Sequence, residues 1–154
     1  MSGFLLDTNV ISLFAPGRSD PPAAFVAWMT AEGEADTLYL SAMTIAEFEK
    51  GLRSLHRRGG VERAKRIHHW LEGILTMFGA HVLPMDAIVA RVAGAVEDDA
   101  TARGRHPGLG DVIIAATAKA YDLTLITQNV KHFSDFDIAV VTPANIAAEV
   151  EKGS

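Results

Sequence analysis

The sequence predicts an α/β fold, a three-layer α/β/α sandwich around a mainly parallel central sheet. Short apolar segments alternate with longer helical segments from one end of the chain to the other, and the connections between them are short. This alternation is typical of parallel strands joined by crossover helices that cover both faces of the sheet. The 154 residues are enough for one sizeable core. We therefore expect one domain over residues 1–150 and a short tail at 151–154.

Five short segments, most of them rich in β-branched or large apolar residues, are the predicted strands. They are Phe4–Leu6, Thr37–Leu40, His81–Leu83, Thr124–Ile126 and Ile138–Val141. A buried parallel strand has this form, a brief apolar run bounded by turn signals.

Six helical segments lie between and after these strands, with Pro and Gly pairs at several of their ends. They cover about residues 22–31, 44–55, 61–77, 86–103, 110–121 and 144–150. The helix from Gly110 is apolar on every side through Val112–Ala116, and its small residues permit close approach to a sheet. Such a helix is expected to be buried.

The composition excludes several classes of protein. The chain contains no cysteine, so neither a disulfide framework nor a thiolate metal site is possible. No apolar run approaches the roughly 18 residues of a membrane helix, and no basic region precedes the first apolar stretch. We expect a cytoplasmic protein that does not contact a membrane.

The charge is unevenly distributed. A formal net charge of −5 argues against generic electrostatic binding to nucleic acid. However, seven of the 14 Lys and Arg residues lie between Lys50 and His69, where Glu62 is the single opposing acid. A local basic surface therefore remains possible.

Four polar residues occupy special positions in the predicted fold. Asp7 directly follows the first strand, and Asn129 closely follows the fourth. Glu47 lies near the start of the helix after the second strand, and Asp111 lies in the first turn of the buried helix. In a parallel sheet these strand ends and helix starts meet at the carboxyl edge, where α/β folds bind their ligands.

A cluster of carboxylates at this edge requires a counterion. Two carboxylates about 5 Å apart repel by roughly 3 kcal/mol at an effective dielectric constant near 20. A hard divalent cation such as Mg²⁺ or Mn²⁺ removes this penalty and accepts oxygen ligands. Such an ion can activate water and support in-line displacement at a phosphodiester.

Each acid also has a structural interpretation. Thr44 and Glu47 have the spacing of a capping box, in which the Glu bonds back to the first amide of its helix. Asp111 could be favoured by the helix dipole, and Asp7 could stabilise a turn. The metal-site interpretation depends on convergence of all three.

Four segments, taken in order, resemble the PIN-domain ribonucleases, and in particular the VapC-type toxins of bacterial toxin–antitoxin pairs. The segments are Leu6-Asp7-Thr8-Asn9-Val10, Ser41-Ala42-Met43-Thr44-Ile45-Ala46-Glu47-Phe48 with Gly51, Gly110-Asp111-Val112-Ile113-Ile114-Ala115-Ala116-Thr117-Ala118, and Leu125-Ile126-Thr127-Gln128-Asn129-Val130-Lys131-His132-Phe133.

The resemblance implies an endoribonuclease that depends on Mg²⁺ or Mn²⁺. Its metal-binding and catalytic carboxylates would be Asp7, Glu47 and Asp111. Thr8 and Asn9 would steady the turn after the first strand, and Thr127 and Asn129 would support the site from the neighbouring strand. The resemblance further implies an RNA substrate, a small DNA-binding antitoxin as partner, and a homodimer formed through the early helices.

The chain departs from the family pattern at its fourth acid. An amide stands at Asn129, where the family often has an acid, and His132 occupies a position where some relatives carry Asp. The six histidines show no metal-ligand spacing. The amide favours an alternative in which the chain is a protein-interaction module with weak or no catalysis, and it weakens the case for a second metal ion.

Two further sets of residues have competing interpretations. The basic segment could guide RNA phosphates or be a solvated helix face, and its candidate RNA-binding residues are Arg53, Arg57, Arg58, Lys65 and Arg66. Phe25, Trp28, Met29, Trp70 and Ile74 fit a core or dimer surface better than a base-stacking platform.

Overall fold

The computed structural model describes residues 2–153 and contains one five-stranded, all-parallel sheet in the order β3-β2-β1-β4-β5. Its strands are β1 (Phe4–Leu6), β2 (Leu38–Ser41), β3 (Val82–Leu83), β4 (Thr124–Ile126) and β5 (Val140–Val141). Helices pack on both faces, so the predicted α/β/α fold class is confirmed. The outer strands β3 and β5 are shorter than predicted.

Within residues 2–153, eight α-helices accompany the sheet. They are α1 (Thr8–Ile11), α2 (Ala23–Glu34), α3 (Ala42–Arg57), α4 (Val61–Phe78), α5 (Ala87–Ala102), α6 (Leu109–Ala120), α7 (Val130–Phe133) and α8 (Pro143–Lys152), with 3₁₀ turns at Ser12–Phe14 and Gly79–His81. The six predicted helices are present with shifted ends. The short α1 and α7 were not predicted.

The two faces of the sheet form two cores. Leu5 packs toward α5 and α6 in one cluster, whereas its neighbour Leu6 packs toward α2 and α8 in the other. This is the alternation that a β-strand imposes on consecutive side chains. Residues Val112–Ala118 of α6 are all buried, as the apolar pattern predicts.

The early aromatic residues belong to the core. Phe25 is fully buried and stacks on Trp28, with 5.9 Å between the ring centroids. Trp28 also meets Phe4 edge to face. Of the two predicted roles for Phe25, core or dimer surface, the core role is confirmed, because packing inside the protomer buries its ring.

The strand register brings the carboxyl ends of β1 and β4 together. Leu6 pairs with Ile126, and the amide of Asp7 donates to the carbonyl of Ile126 at 2.9 Å. The residues that follow, Asp7 and Thr127, therefore leave the sheet side by side. Across residues 2–153, no helix has both the length and the apolar character needed to span a membrane.

Candidate active site

Asp7 lies at the end of the central strand and is only 6% exposed. It is also the residue that caps α1. One carboxylate oxygen, Oδ1, accepts a hydrogen bond from the backbone N–H of Thr8 at 2.8 Å. The other, Oδ2, accepts the hydroxyl of Thr127 at 2.7 Å. The carboxylate is thus fixed from both strands.

The hydroxyl of Thr127 uses its one proton and both of its acceptor positions in hydrogen bonds. Its Oγ1 accepts from the side-chain amide of Asn9 at 3.3 Å and from the backbone N–H of Asn129 at 3.0 Å. Because both donors are N–H groups, the single hydroxyl proton is directed to Asp7. Asn9 also accepts from the N–H of Gln128 at 3.1 Å. These bonds join the turn after β1 to the turn after β4.

Glu47 is oriented by a different threonine. The Thr8 hydroxyl lies 2.8 Å from Glu47 Oε1 and 3.0 Å from the hydroxyl of the buried Thr44. A carboxylate can only accept, so the Thr8 proton points to Glu47, and Thr44 donates to Thr8. Sequence reasoning considered Thr44 only as a helix cap and missed this role.

The capping-box interpretation of Glu47 is wrong. Helix α3 begins at Ala42 and is capped by Ser41, whose hydroxyl accepts from the N–H of Met43 at 3.1 Å. Glu47 therefore lies more than a turn inside the helix, beyond reach of the first amides. Its side chain instead lies beside Gly110 in the first turn of α6, where an added Cβ would be 3.8 Å from Oε2.

Asp111 enters from α6. The cap of this helix is Gly108, and no side chain makes a capping bond there. Asp111 Oδ2 lies 3.4 Å from Nδ1 of His132, a 61% exposed residue on α7. Sequence analysis gives His132 no role in the site, and this contact with Asp111 is not one that local spacing predicts. The one available signal was its position, where some members of the family carry Asp.

The three carboxylates share one electrostatic environment. Burial raises the pKa of Asp7, Glu47 and Asp111 above their ordinary values. The charge of Asp111 raises the pKa of Asp7 further, and the charges of Asp7 and Asp111 raise that of Glu47. His132 acts in the opposite direction on the pKa of Asp111. Asp7 and Glu47 are joined through Thr8, and Glu47 lies beside the turn of α6 that carries Asp111, so all three acids lie at the carboxyl edge of the sheet.

The donor set fits a hard divalent cation that keeps some of its water. In the described conformation of residues 2–153, no three Asp, Glu or His side chains are close enough to ligate one ion together. Mg²⁺ is usually held by one or two carboxylates and completes its shell with water and phosphate. Glu47 Oε2 and Asp111 Oδ1 accept no hydrogen bond from a described residue, so both remain available as ligands.

Other predicted residues lie further from the carboxylates. Asn129 is exposed at the start of α7, and its backbone supports Thr127. The basic candidates are exposed along α3 and α4, with Arg53 paired to Glu49 and Lys65 to Glu62. At a rise of about 1.5 Å per residue, Arg57 lies about 15 Å beyond Glu47 along α3. Lys65 and Arg66 border an open groove with Phe14, Pro16 and Trp70.

Known proteins are similar to this chain in both sequence and fold. The chain is 37% identical to Toxin FitB of Neisseria gonorrhoeae over 140 residues, 90% of this chain and 96% of that protein. It is 33% identical to VapC ribonuclease Y4jK of Sinorhizobium fredii over the same shares of both chains. The crystal structure of FitAcB from Neisseria gonorrhoeae contains a similar chain, with a TM-score of 0.77 over 92% of this chain and 98% of that one.

The PIN domain family model matches residues 4–139, a span that contains all three carboxylates and both supporting threonines. The chain belongs to the PIN-domain family.

Proposed function

We propose that this protein is a metal-dependent endoribonuclease, the toxin of a toxin–antitoxin pair, that hydrolyses RNA phosphodiesters at the carboxyl edge of its sheet. The observation that carries the proposal is the convergence of Asp7, Glu47 and Asp111, each held by a different element. The relatives named as a toxin and as a VapC ribonuclease support it. The chain carries all three acids, which favours catalysis over an interaction module.

Asp7, Glu47 and Asp111 would hold Mg²⁺ or Mn²⁺. When bound, such an ion lowers the pKa of water and neutralises charge on phosphate oxygens. The threonines do the positioning. Thr127 fixes the direction of the Asp7 carboxylate, and Thr8 fixes that of Glu47, so hydrogen bonds orient both carboxylates before an ion binds.

The basic residues of α3 and α4 would bind the RNA backbone on either side of the scissile phosphate. Arg57 and Arg66 form no ion pair with any described residue, so they are available for phosphates. The groove beside Lys65 and Arg66 has a volume of about 570 Å³ and is lined in part by Trp70. Phosphate contacts of this kind give affinity without base specificity.

A cognate antitoxin is the expected protein partner. An apolar cavity of about 580 Å³ between α2 and α4 is lined by Met29, Ile74 and Phe78, and it could receive apolar side chains of such a partner. We also expect a homodimer. Since Phe25 is buried, exposed apolar residues such as Ile88 on α5 are better candidates for its interface.

The direct test is cleavage of a structured RNA by the purified chain with Mg²⁺, with Mn²⁺ and with excess chelator. We expect cleavage only with a divalent ion, and a loss of about 100-fold or more in Asp111→Asn. Asp98→Asn, an exposed substitution on α5, is the matched control and should cleave normally. Equal cleavage by Asp111→Asn, or cleavage in chelator, would identify a contaminating nuclease and remove the proposal.

A further inference from the structure

A second group of basic side chains lies near Asp111, apart from the basic segment of α3 and α4. Of the seven Lys and Arg residues outside that segment, three lie in α7 or in the loop before α6, namely Arg103, Arg105 and Lys131. The loop leads into the helix start that carries Asp111. Helix α7 meets the same carboxylate through His132, whose Nδ1 is 3.4 Å from Asp111 Oδ2. Both segments therefore adjoin the candidate site.

Hydrogen bonds join this loop to the chain that follows α7. Arg103 donates from Nε to the carbonyl of Asp99 at 3.3 Å and from Nη2 to the carbonyl of Asp135. The backbone N–H of Arg105 donates to the carbonyl of Ala100 at 2.8 Å. The role of Arg103 is therefore structural, because backbone carbonyls engage its guanidinium and fix the loop in place.

The other two cations remain available to a ligand. Arg105 Nε lies 3.7 Å from Asp135 Oδ1, which is longer than a well-formed hydrogen bond, and the Arg105 side chain is 64% exposed. An exposed pair of this kind is weak. Lys131 is exposed and forms no ion pair with any residue from 2 to 153. We call these two side chains, Arg105 and Lys131, the α7 rim.

The strand order places α7 and α3 on opposite sides of Asp7. Strand β1, which ends just before Asp7, lies between β2 and β4. Helix α3 follows β2 and carries Glu47, whereas α7 follows β4. Ionised carboxylates at this edge repel the phosphates of an approaching RNA. Cations on the β4 side, in addition to those of α3 and α4, offset that repulsion along the whole edge.

Resting on the proposed function, we propose that Arg105 and Lys131 bind backbone phosphates of the RNA on the β4 side of the carboxylates, so that the strand lies across the carboxyl edge of the sheet. Arg and Lys are the usual phosphate partners in nucleic-acid complexes, and such contacts set the register of the substrate. Each contact displaces counterions, so affinity falls with salt. One contact contributes about 0.7–0.9 to the slope of log affinity against log salt concentration, or about fivefold at 0.15 M salt.

The first test is the salt dependence of cleavage by the full chain. The kcat/KM of a fluorescent RNA that the wild type cleaves is measured between about 0.05 and 0.2 M KCl at one low Mg²⁺ concentration. We expect Lys131→Ala and Arg105→Ala each to reduce the salt slope by about 0.7–0.9 and to raise KM about fivefold, with kcat changed less than about twofold. Lys131→Arg should restore the slope.

The matched control for this test is Lys152→Ala. It removes one exposed cation from α8, which packs on the face of the sheet opposite α6, and it should keep the wild-type slope and KM. Because Arg105, Lys131 and Lys152 are all exposed, none of these substitutions should unfold the protein.

A substitution at Asp135 distinguishes contact with RNA from support of the loop. If Arg105 acted only through its pair with Asp135, Asp135→Asn would remove the same pair and lower kcat/KM as Arg105→Ala does. We expect kcat/KM to rise instead, because Arg105 is released for phosphate and a nearby negative charge is lost. A fall equal to that of Arg105→Ala would overturn the role of Arg105 in RNA binding.

The last test locates the contacts on the substrate. Single neutral methylphosphonate linkages between 2′-O-methyl nucleotides are placed at successive positions around the cleaved bond, and the same 2′-O-methyl RNAs with ordinary phosphates are the controls. A phosphate contact that is already lost cannot be lost again. We therefore expect Lys131→Ala to be insensitive to neutralisation of a linkage at which Arg57→Ala is still sensitive.

The outcomes separate this inference from the proposed function. If the wild type cleaves RNA only with a divalent ion, but Lys131→Ala and Arg105→Ala keep the salt slope of Lys152→Ala, the α7 rim does not bind RNA and the nuclease assignment stands. The same pattern of sensitive linkages in Lys131→Ala and Arg57→Ala would likewise refute a separate contact on the β4 side. If the wild type cleaves no RNA with a divalent ion, the proposed function fails and this inference fails with it.

Discussion

At the scale of single residues, two threonines orient the carboxylates of Asp7 and Glu47. Thr127 is fully buried, donates its one proton to Asp7 and accepts two N–H groups. A buried polar group that keeps all its partners costs little, whereas removal of one partner leaves the others unsatisfied. The hydroxyl of Thr127 is therefore both a structural link between two turns and the group that aims the central ligand.

Thr127→Val should destabilise the protein by about 1–3 kcal/mol, because Asp7 Oδ2 and two N–H groups lose their partner while the shape is kept. Urea denaturation of the metal-free protein measures the change. Thr117→Val is the matched control. Thr117 is equally buried, but its hydroxyl donates to the carbonyl of Ile113, which keeps its helical hydrogen bond. A cost for Thr127→Val no larger than for Thr117→Val would contradict this account.

At the scale of elements, the long helices and the inner strands follow from sequence because their patterns extend over several turns or are strongly apolar. Helix α6 is the clearest case, since residues 112–118 are buried as their composition predicts. The one-turn helices α1 and α7 are too short to carry a periodic pattern. They form because Asp7 caps one and because the Asn129 turn, held by Thr127, starts the other.

The residues of the candidate site also fall into two groups, those that the sequence predicts and those that it does not. Asp7, Glu47 and Asp111 could be selected because each stands at an end of a predicted strand or helix. Thr44 and His132 could not, because their roles depend on distances between elements that are far apart in the chain. Glu47 also had a local interpretation, the capping box. It is excluded only because the structure places the start of α3 at Ala42.

The first turn of α6 has a glycine where Glu47 approaches it. A Cβ at Gly110 would lie 3.4 Å from Met43 Cε and 3.8 Å from the Glu47 carboxyl carbon, which is contact without collision. Gly110→Ala should therefore fold, and the helix should gain up to about 0.5–1 kcal/mol. The added methyl would occupy space beside the Glu47 ligand, and we expect Mn²⁺ binding to weaken about tenfold.

Gly94→Ala is the control for this experiment. Gly94 lies in α5, and a Cβ there meets nothing within 4 Å. Thermal melting and Mn²⁺ titration of both variants separate the two effects. Both should raise the melting temperature of the metal-free protein, but Gly94→Ala should bind Mn²⁺ as the wild type does. Wild-type binding by Gly110→Ala would show that the α6 turn lies outside the ion's surroundings.

At the scale of the whole molecule, the topology explains why the site lies where it does. From β1 the chain builds outward through β2 and β3, then returns to add β4 and β5 on the other side. The connections reverse direction between β1 and β4, and open parallel sheets bind ligands at such a switch point. Asp7 and Thr127 follow these two strands, so the fold itself places the central ligand and its supporting hydroxyl together.

The same placement has a cost in stability when no ion is bound. A carboxyl group whose pKa is raised in the folded state holds its proton more tightly there than in the unfolded chain. Its stabilising effect is complete below the ordinary pKa, near 4, and is lost as the pH rises through the raised value. All three acids have raised pKa values. Their ionisation in the metal-free protein therefore lowers the free energy of unfolding as the pH rises above about 4.

A divalent ion should reverse this trend, because it binds the ionised carboxylates and only in the folded protein. At a free Mn²⁺ concentration of about 100 times its dissociation constant, linkage predicts about 2.7 kcal/mol of stabilisation. This corresponds to a rise of about 5–10 °C in melting temperature for a chain of this size. The rise should be larger at pH 7 than at pH 4, where protons compete for oxygens whose pKa values are raised above the ordinary ones. In Asp7→Asn the rise should vanish at both pH values, whereas Glu149→Gln, an exposed substitution on α8, should leave it unchanged.

Without metal, Asp7→Asn should melt progressively higher relative to the wild type as the pH increases. A rise with Mn²⁺ that is equal at pH 4 and pH 7 would mean that the ion binds somewhere other than these carboxylates.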